Sequence, residues 1–238
     1  GWTGGGTTLT WTDFTVSSGG ANRKLLVMVA GEGGATSLTI TWSGTPLILQ
    51  RGGFSGAAYA FVYALDNPAA GTGPLIVTGP GGNRYGVTAI YATGVLGLES
   101  SDAKSGTVPV LTAGPITPTV GALVVSAGGH GANAFPNPPP AAYPGPGMTG
   151  GTLLMNLTGL GSGGAVDYLI APDSTPLSAT YYQGTDGQGE GVVIASFEPK
   201  DPARIKTFGI PGSPAVIGAT SIALTVPWNP WGISGLAA

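Results

Sequence analysis

Apolar and polar residues follow one another along this chain in short segments that either alternate strictly or are apolar throughout. The segments are rich in Val, Ile, Thr and Tyr, and clusters of Gly, Pro, Asn and Asp separate them, which is the pattern of β-strands joined by turns. We find no segment with the period of an amphipathic helix. The predicted strands are 7–16, 24–31, 37–42, 46–50, 57–65, 74–78, 85–92, 107–112, 121–127, 151–157, 164–171, 177–182 and 190–197.

Two of these segments illustrate the two kinds of strand. In TTLTWTDFTV, Leu9 and Trp11 share one face, but Phe14 falls on the other, which predicts a β-bulge or a two-sided strand. LLVMVA (25–30) is apolar at every position, as in a central strand covered on both faces or at a subunit contact. Many short strands at this spacing predict an all-β fold, a jelly-roll or Ig-like antiparallel β-sandwich.

The strand pattern recurs once within the chain. Residues 24–35 resemble residues 121–132, and residues 59–94 resemble residues 165–199, where an apolar strand ends in an Asp-bearing turn. We infer two related halves that build one sandwich with a shared core.

The predicted domain organisation follows from this repeat. A β-sandwich occupies residues 1–200, with halves of about 1–100 and 101–200, and residues 201–238 form a C-terminal β arm or a partial Ig-like segment.

The longest irregular stretch is 131–151, which is rich in proline. Long loops in compact domains are usually functional or disordered. Phe135 and Tyr143 with the prolines would form a stiff apolar lip of polyproline character, and we name them as a possible binding loop. A rigid crossover over the sandwich edge is the other interpretation.

Composition narrows the functional classes. Charged residues make up 8% of the chain against about 25% in typical proteins, and the net charge is −3, so nucleic acid is not an expected partner. There is no cysteine, hence no disulfide or thiolate metal site. No apolar run approaches the roughly 20 residues of a membrane span. The absence of an initiator Met indicates a processed chain or a fragment.

Catalytic signatures are sparse. The single histidine, His130, ends a predicted strand and is expected to be a solvated loop residue. GLGSGG (159–164) matches a dinucleotide fingerprint in form only, since no helix follows it, and we predict a hairpin loop. We expect no catalytic residues and no enzyme activity, although a carboxylate pair of a hydrolase on the same sandwich remains an alternative.

Two kinds of ligand remain open. We expect no cofactor, but DGQGE (186–190) with Asp66 or Asp173 is an alternative calcium site. Glycans would stack on exposed aromatic rings, although most tryptophans near strand ends pack inward. The tryptophans considered for this role are Trp2, Trp42, Trp228 and Trp231.

Several segments carry a resemblance to a known module. RKLLVMVAGEGGATSLTITWSGTPLIL, AAYAFVYALDNPAAGTGPLIVTG, GVTAIYATGV, GALVVSAGGHGA and GVVIASFEP resemble, in order and texture, a β-sandwich module of phage virion proteins (tail fibres, head appendages) and bacterial surface proteins. ARIKTFGIPGSPAVIGATSIALTVPW is similar to the opening strands of an Ig-like domain of bacterial surface proteins. The resemblance implies a structural, display or adhesion role.

The segment Ser221–Val226 alternates apolar and polar residues, as an added β-strand requires. An isolated strand of this length is unstable, so it must pair within its own sandwich or with a neighbouring subunit, and we favour the second. The residues of this assembly arm are Ser221, Ile222, Leu224, Val226, Trp228 and Trp231.

We therefore expect a non-enzymatic structural protein of a virion or cell-surface assembly, located on the virion surface or outside the cell. It would assemble as a homo-oligomer by β-strand addition, with other virion or surface proteins as partners. A carbohydrate-binding adhesin module is the alternative, with glycans as partners.

Overall fold

The computed structural model describes residues 2–4, 8–79, 84–131, 146–157, 163–182, 189–200, 208–209 and 222–225, with only the backbone described for residues 2–4, 157, 208–209 and 222–225. These residues contain strands and no helix. The strands are β1 (Trp2–Gly4), β2 (Thr8–Val16), β3 (Lys24–Glu32), β4 (Thr39–Trp42), β5 (Thr45–Pro46), β6 (Ile48–Phe54), β7 (Ala58–Asp66), β8 (Gly71–Thr78), β9 (Arg84–Ala92), β10 (Val95–Gly106), β11 (Val110–Ile116), β12 (Leu123–His130), β13 (Gly147–Met148), β14 (Thr152–Leu157), β15 (Gly163–Ile170), β16 (Leu177–Tyr182), β17 (Glu190–Pro199), β18 (Phe208–Gly209) and β19 (Ile222–Thr225).

Four sheets contain these strands. Sheet I has the order β2-β8-β4-β5, and sheet II has the order β18-β19-β9-β3-β7-β6, with β1 also paired to β9. Sheet III has the order β10-β17-β12-β15-β14, and sheet IV has the order β11-β16-β13. Among the described strand pairs, all are antiparallel except β18 with β19. The prediction of an all-β antiparallel sandwich is thus confirmed.

The sheets stack as four layers with a core in each gap. Leu25, Val27 and Val29 of β3 face sheet I, whereas Leu26 and Met28 face sheet III. The LLVMVA run is therefore apolar throughout because both faces of its strand are covered, as predicted. A third core fills the gap between sheets III and IV. Each half thus has a core of its own, between sheets I and II or between sheets III and IV, and the two halves share the core between sheets II and III.

The two halves have the same strand order. In the first half, β9-β3-β7-β6 packs on β2-β8-β4, and in the second half, β17-β12-β15-β14 packs on β11-β16-β13. The strands of the two halves also occur in the same order along the chain. In turn, β2, β3, β4, β6, β7, β8 and β9 correspond to β11, β12, β13, β14, β15, β16 and β17.

The outer sheets follow the alternation that the sequence predicts. Strict alternation would place Phe14 on the face opposite to Leu9 and Trp11. The register of β2 shifts between Trp11 and Phe14, and all three side chains pack against the same core. This is the predicted bulge. Threonines on the solvent side pair across strands, as at Thr15–Thr72 (2.9 Å between hydroxyl oxygens).

The prediction missed strand β10. Its sequence, VLGLESSDAKSG, lacks regular alternation and is mostly polar. It is a strand because it runs along β17 from Val95↔Pro199 to Gly106↔Glu190. Edge strands like this one carry a weak sequence signal, since one side of the strand has no partner and much of its surface is exposed.

Candidate functional site

The C-terminal strand β19 lies against β9 of the same chain. Its partners across the strands are Ala223↔Tyr91, Leu224↔Ile90 and Thr225↔Ala89. Strand β1 pairs with the neighbouring part of β9, at Gly86, Tyr85 and Arg84. Two short strands therefore occupy, end to end, the edge of β9 that faces away from β3. We call this edge of Arg84–Ala92 the acceptor edge.

The second half shows what the acceptor edge corresponds to. There, the counterpart of β9 is β17, and its outer edge is covered by the single long strand β10. In the first half the strand that precedes β2 is only β1, which reaches Gly86. Strand β19 takes the place along β9 that β10 fills along β17, so the C-terminal arm completes the sheet.

The pairing of β19 with β9 is short. It spans three residues of β9, and a backbone hydrogen bond contributes only about 0.5–1.5 kcal/mol net to stability. The structure pairs the arm within its own chain, whereas its use between subunits remains a prediction. Ser221, Val226, Trp228 and Trp231 lie outside the described residues, and of Ile222 and Leu224 only the backbone is described.

The predicted binding loop also falls largely outside the described part, which omits Phe135 and Tyr143. Both of its ends are attached to the second sandwich. The Gly131 N–H donates to the carbonyl of Gly189 (3.0 Å), and Met148 pairs with Ala179 of β16.

A buried polar cluster lies between sheets III and IV. The Asp167 carboxylate accepts hydrogen bonds from the Ser126 hydroxyl and the Met148 N–H, the latter at 2.7 Å. The Tyr181 hydroxyl lies 2.7 Å from the Ser126 hydroxyl. Asp167 is only 2% exposed, and its burial raises the pKa of its carboxyl to about 6, against the opposing effect of these hydrogen bonds.

The cluster ties four strands together: β15, β12, β13 and β16. Ser126 and Tyr181 are fully buried, so no substrate reaches these side chains in this structure, and the arrangement is one that stabilises the sandwich. We did not predict this cluster. The available signal was a carboxylate in the middle of an apolar strand, GGAVDYLI, since a buried charge needs partners.

His130 is buried, with no exposed surface, and the prediction of a solvated loop residue is wrong. Strand β12 extends to this residue and pairs on both sides, with Gly163 of β15 and Glu190 of β17. Glu190 is also fully buried. The histidine is covered because β15 and β17, on either side of β12, extend as far as His130.

The candidate calcium site falls partly outside the described residues, which omit Asp186. Asp66 is ion-paired with Lys24, and Asp173 accepts the N–H of Thr175 (2.8 Å) in a turn. In the described ranges, no three His, Cys, Asp or Glu residues lie close enough to hold a metal ion.

Trp42 is part of the core rather than a platform for sugars. It is 2% exposed, its indole N–H donates to the Ala69 carbonyl (3.1 Å), and its ring packs edge-to-face on Phe14.

Comparisons with known proteins identify no family. No protein-family model matches the chain, and no curated protein matches it. A solved structure described as an anti-sigma factor domain-containing protein aligns with 82% of this chain and 76% of its own, at 9% identity and a TM-score of 0.24. A likeness at that level carries no conclusion about fold or function. Within the described residues there is no helix with the length and apolarity of a membrane span.

Proposed function

We propose that this protein is a non-enzymatic structural subunit of a virion or cell-surface assembly, in which the C-terminal arm of one copy adds to the acceptor edge of the next. The observation that supports the proposal is the place of β19. It completes a sheet through three residue pairs, at the position that a continuous strand holds in the second half. A short strand at an open edge is the arrangement used in β-strand addition between subunits.

Exchange between copies would preserve the pairing. The same residues of β19 would meet the same residues of β9 on a neighbour, so the swapped and unswapped forms contain the same hydrogen bonds. A head-to-tail contact of this kind builds rings or filaments. The charge-poor, threonine-bearing outer surface suits a protein that is packed among copies of itself, since little like-charge repulsion opposes association.

The test is the solution mass, by light scattering, of the full chain, of a chain ending at Asp201, and of Leu224→Pro. Leu224 lies opposite Ile90, and proline removes the N–H at that position. We expect the full chain to assemble and both variants to be monomeric. Leu224→Thr, which keeps a residue of high β-propensity, is the control and should assemble as the full chain does.

A monomeric full chain at every concentration would refute the proposal, and the arm would then belong to its own domain. Assembly that persists in the chain ending at Asp201 would also refute it, because the contact would lie elsewhere.

A carbohydrate-binding module is the second candidate. The polar cleft described in the next subsection is the observation that favours it.

A further inference from the structure

A cleft of about 200 Å³ opens where the two halves meet, at the end of the molecule that carries the start of β3 and the end of β7. The loop before β3, the end of β7 with the turn after it, and the start of β10 form its walls. The lining residues that matter for the argument are Asn22, Arg23, Asp66, Asn67, Val95 and Leu96.

Backbone hydrogen bonds hold these walls together. The Asn67 N–H donates to the Arg23 carbonyl (2.7 Å), and the Val95 N–H donates to the Asn22 carbonyl (3.2 Å). Asn22 and Asn67 both have left-handed backbones, with φ of 51° and 48°. Left-handed non-glycine residues are uncommon and concentrate at functional sites. The cleft is thus formed before any ligand arrives.

The charges around the cleft favour an anion. The described residues contain six lysines and arginines, and four of these are ion-paired: Lys24, Arg51, Arg84 and Lys104. Arg23 and Lys200 form no ion pair within that described part. Arg23 lines the cleft, and the Lys200 backbone N–H donates to the carbonyl of Gly94 (2.8 Å), the residue just before the start of β10.

The single carboxylate in the lining, Asp66, is neutralised by Lys24, which is buried and packs over the Phe197 ring. Arg23 has no acidic partner among the described residues, so the charges of Arg23, Lys24 and Asp66 at the cleft sum to +1. A guanidinium binds carboxylates through two parallel hydrogen bonds.

The remaining lining suits a ring with hydroxyl groups. The side-chain amides of Asn22 and Asn67 and the Asp66 oxygens are donors and acceptors for hydroxyls. Leu96, which is half-buried, supplies apolar surface for a C–H face, whereas Val95 beneath it is buried. A cavity of about 150 Å³ holds one benzene ring, so this volume is sufficient for one six-membered sugar ring.

We infer that this cleft binds a single acidic sugar residue of the hexuronate class, with the carboxylate on Arg23 and the hydroxyls on the asparagines and Asp66. The inference does not depend on the assembly arm, so either proposal can fail without the other.

The test is saturation-transfer difference NMR on the full chain, which observes ligand protons and works for a monomer or an assembly. The probes are glucuronate, glucose and acetate. We expect saturable binding of glucuronate and much weaker binding of glucose and of acetate. Arg23→Gln should lower the affinity for glucuronate about tenfold or more, because it removes a charge-assisted hydrogen-bond pair. Asn67→Gly, which keeps the left-handed backbone, should lower it less.

Arg51→Gln is the matched control, since Arg51 is ion-paired with Asp102 on another edge, and it should leave binding unchanged. Melting temperatures of all variants show whether each is folded. The inference is overturned if glucuronate does not bind, or if glucose or acetate binds equally well. It is also overturned if Arg51→Gln weakens binding as much as Arg23→Gln.

Discussion

Asp167 is the residue whose chemistry departs most clearly from its surroundings. It sits in an apolar strand, and its carboxyl has a pKa of about 6 because burial disfavours the ionised form. The pKa in the folded protein lies above the usual value of 3.8. Below pH 3.8 the carboxyl is protonated in both the folded and the unfolded protein, and its full contribution to the free energy of unfolding is present. This contribution is lost as the pH rises through 6. The difference between the two pKa values corresponds to about 3 kcal/mol of stability.

We predict that Asp167→Asn removes this pH dependence. The free energy of urea unfolding of the native protein should fall from about pH 4 to pH 7 more steeply than that of the variant. At pH 4 the native carboxyl is itself protonated and, like the amide, offers one carbonyl oxygen, so the variant should have a similar stability there. Asp173→Asn is the control, because Asp173 is exposed and should leave the fall intact. Equal slopes in Asp167→Asn and the native chain would contradict the assignment.

At the scale of elements, the two inner sheets come into backbone contact at glycines. A Cβ on Gly129 of β12 would overlap the Tyr59 carbonyl and lie 2.8 Å from the Gly31 nitrogen. A Cβ on Gly191 would overlap the Gly53 carbonyl. We call these four glycines, at positions 31, 53, 129 and 191, the glycine contact. Their strands meet backbone to backbone, closer than the roughly 10 Å between stacked sheets with side chains.

We predict that Gly129→Ala destabilises the protein by about 1–3 kcal/mol or more, because rigid backbone atoms occupy the space that the methyl group requires. Gly56→Ala is the matched control, since nothing lies within 4 Å of the position of its Cβ. Thermal or urea unfolding of both variants measures the difference. Similar stabilities would show that the sheets are further apart than described.

At the scale of the molecule, the core between sheets II and III makes the two sandwiches one folding unit. Leu26 and Met28 of the first half pack with Leu123, Val125 and Val193 of the second. Separating the halves would expose this core to water, at a cost of about 25 cal/mol per Å² of apolar surface.

We therefore predict that Leu26→Ala lowers the stability of the whole chain in one transition. Leu26 is fully buried, and such truncations cost about 2–5 kcal/mol. Differential scanning calorimetry should show a single peak, shifted to lower temperature. Ala103, on the edge strand β10, offers a control, because it is only partly buried and Ala103→Ser should shift the peak little. Two peaks, of which only one moves, would show that the halves unfold independently.

The sequence pattern correctly predicted the all-β class, most strands and the bulge at Phe14, because side-chain alternation depends only on which face of a strand is buried. It did not predict β10, whose polar sequence becomes a strand only by pairing with β17. It placed Phe135 and Tyr143 in a loop and the arm at 221–226. It did not identify what these segments contact, because such contacts join residues that are far apart in the chain.

What the sequence determined by itself is local: alternation, turns, the scarcity of charge, and hence a β protein with a charge-poor surface. Tertiary structure decided the rest. His130 became buried because neighbouring strands extend beside it, and Asp167 acquired its partners from three other strands. The cleft around Arg23 exists because three segments distant in sequence share backbone hydrogen bonds. The physical reason is that burial and pairing are properties of the packed layers, which no local segment contains.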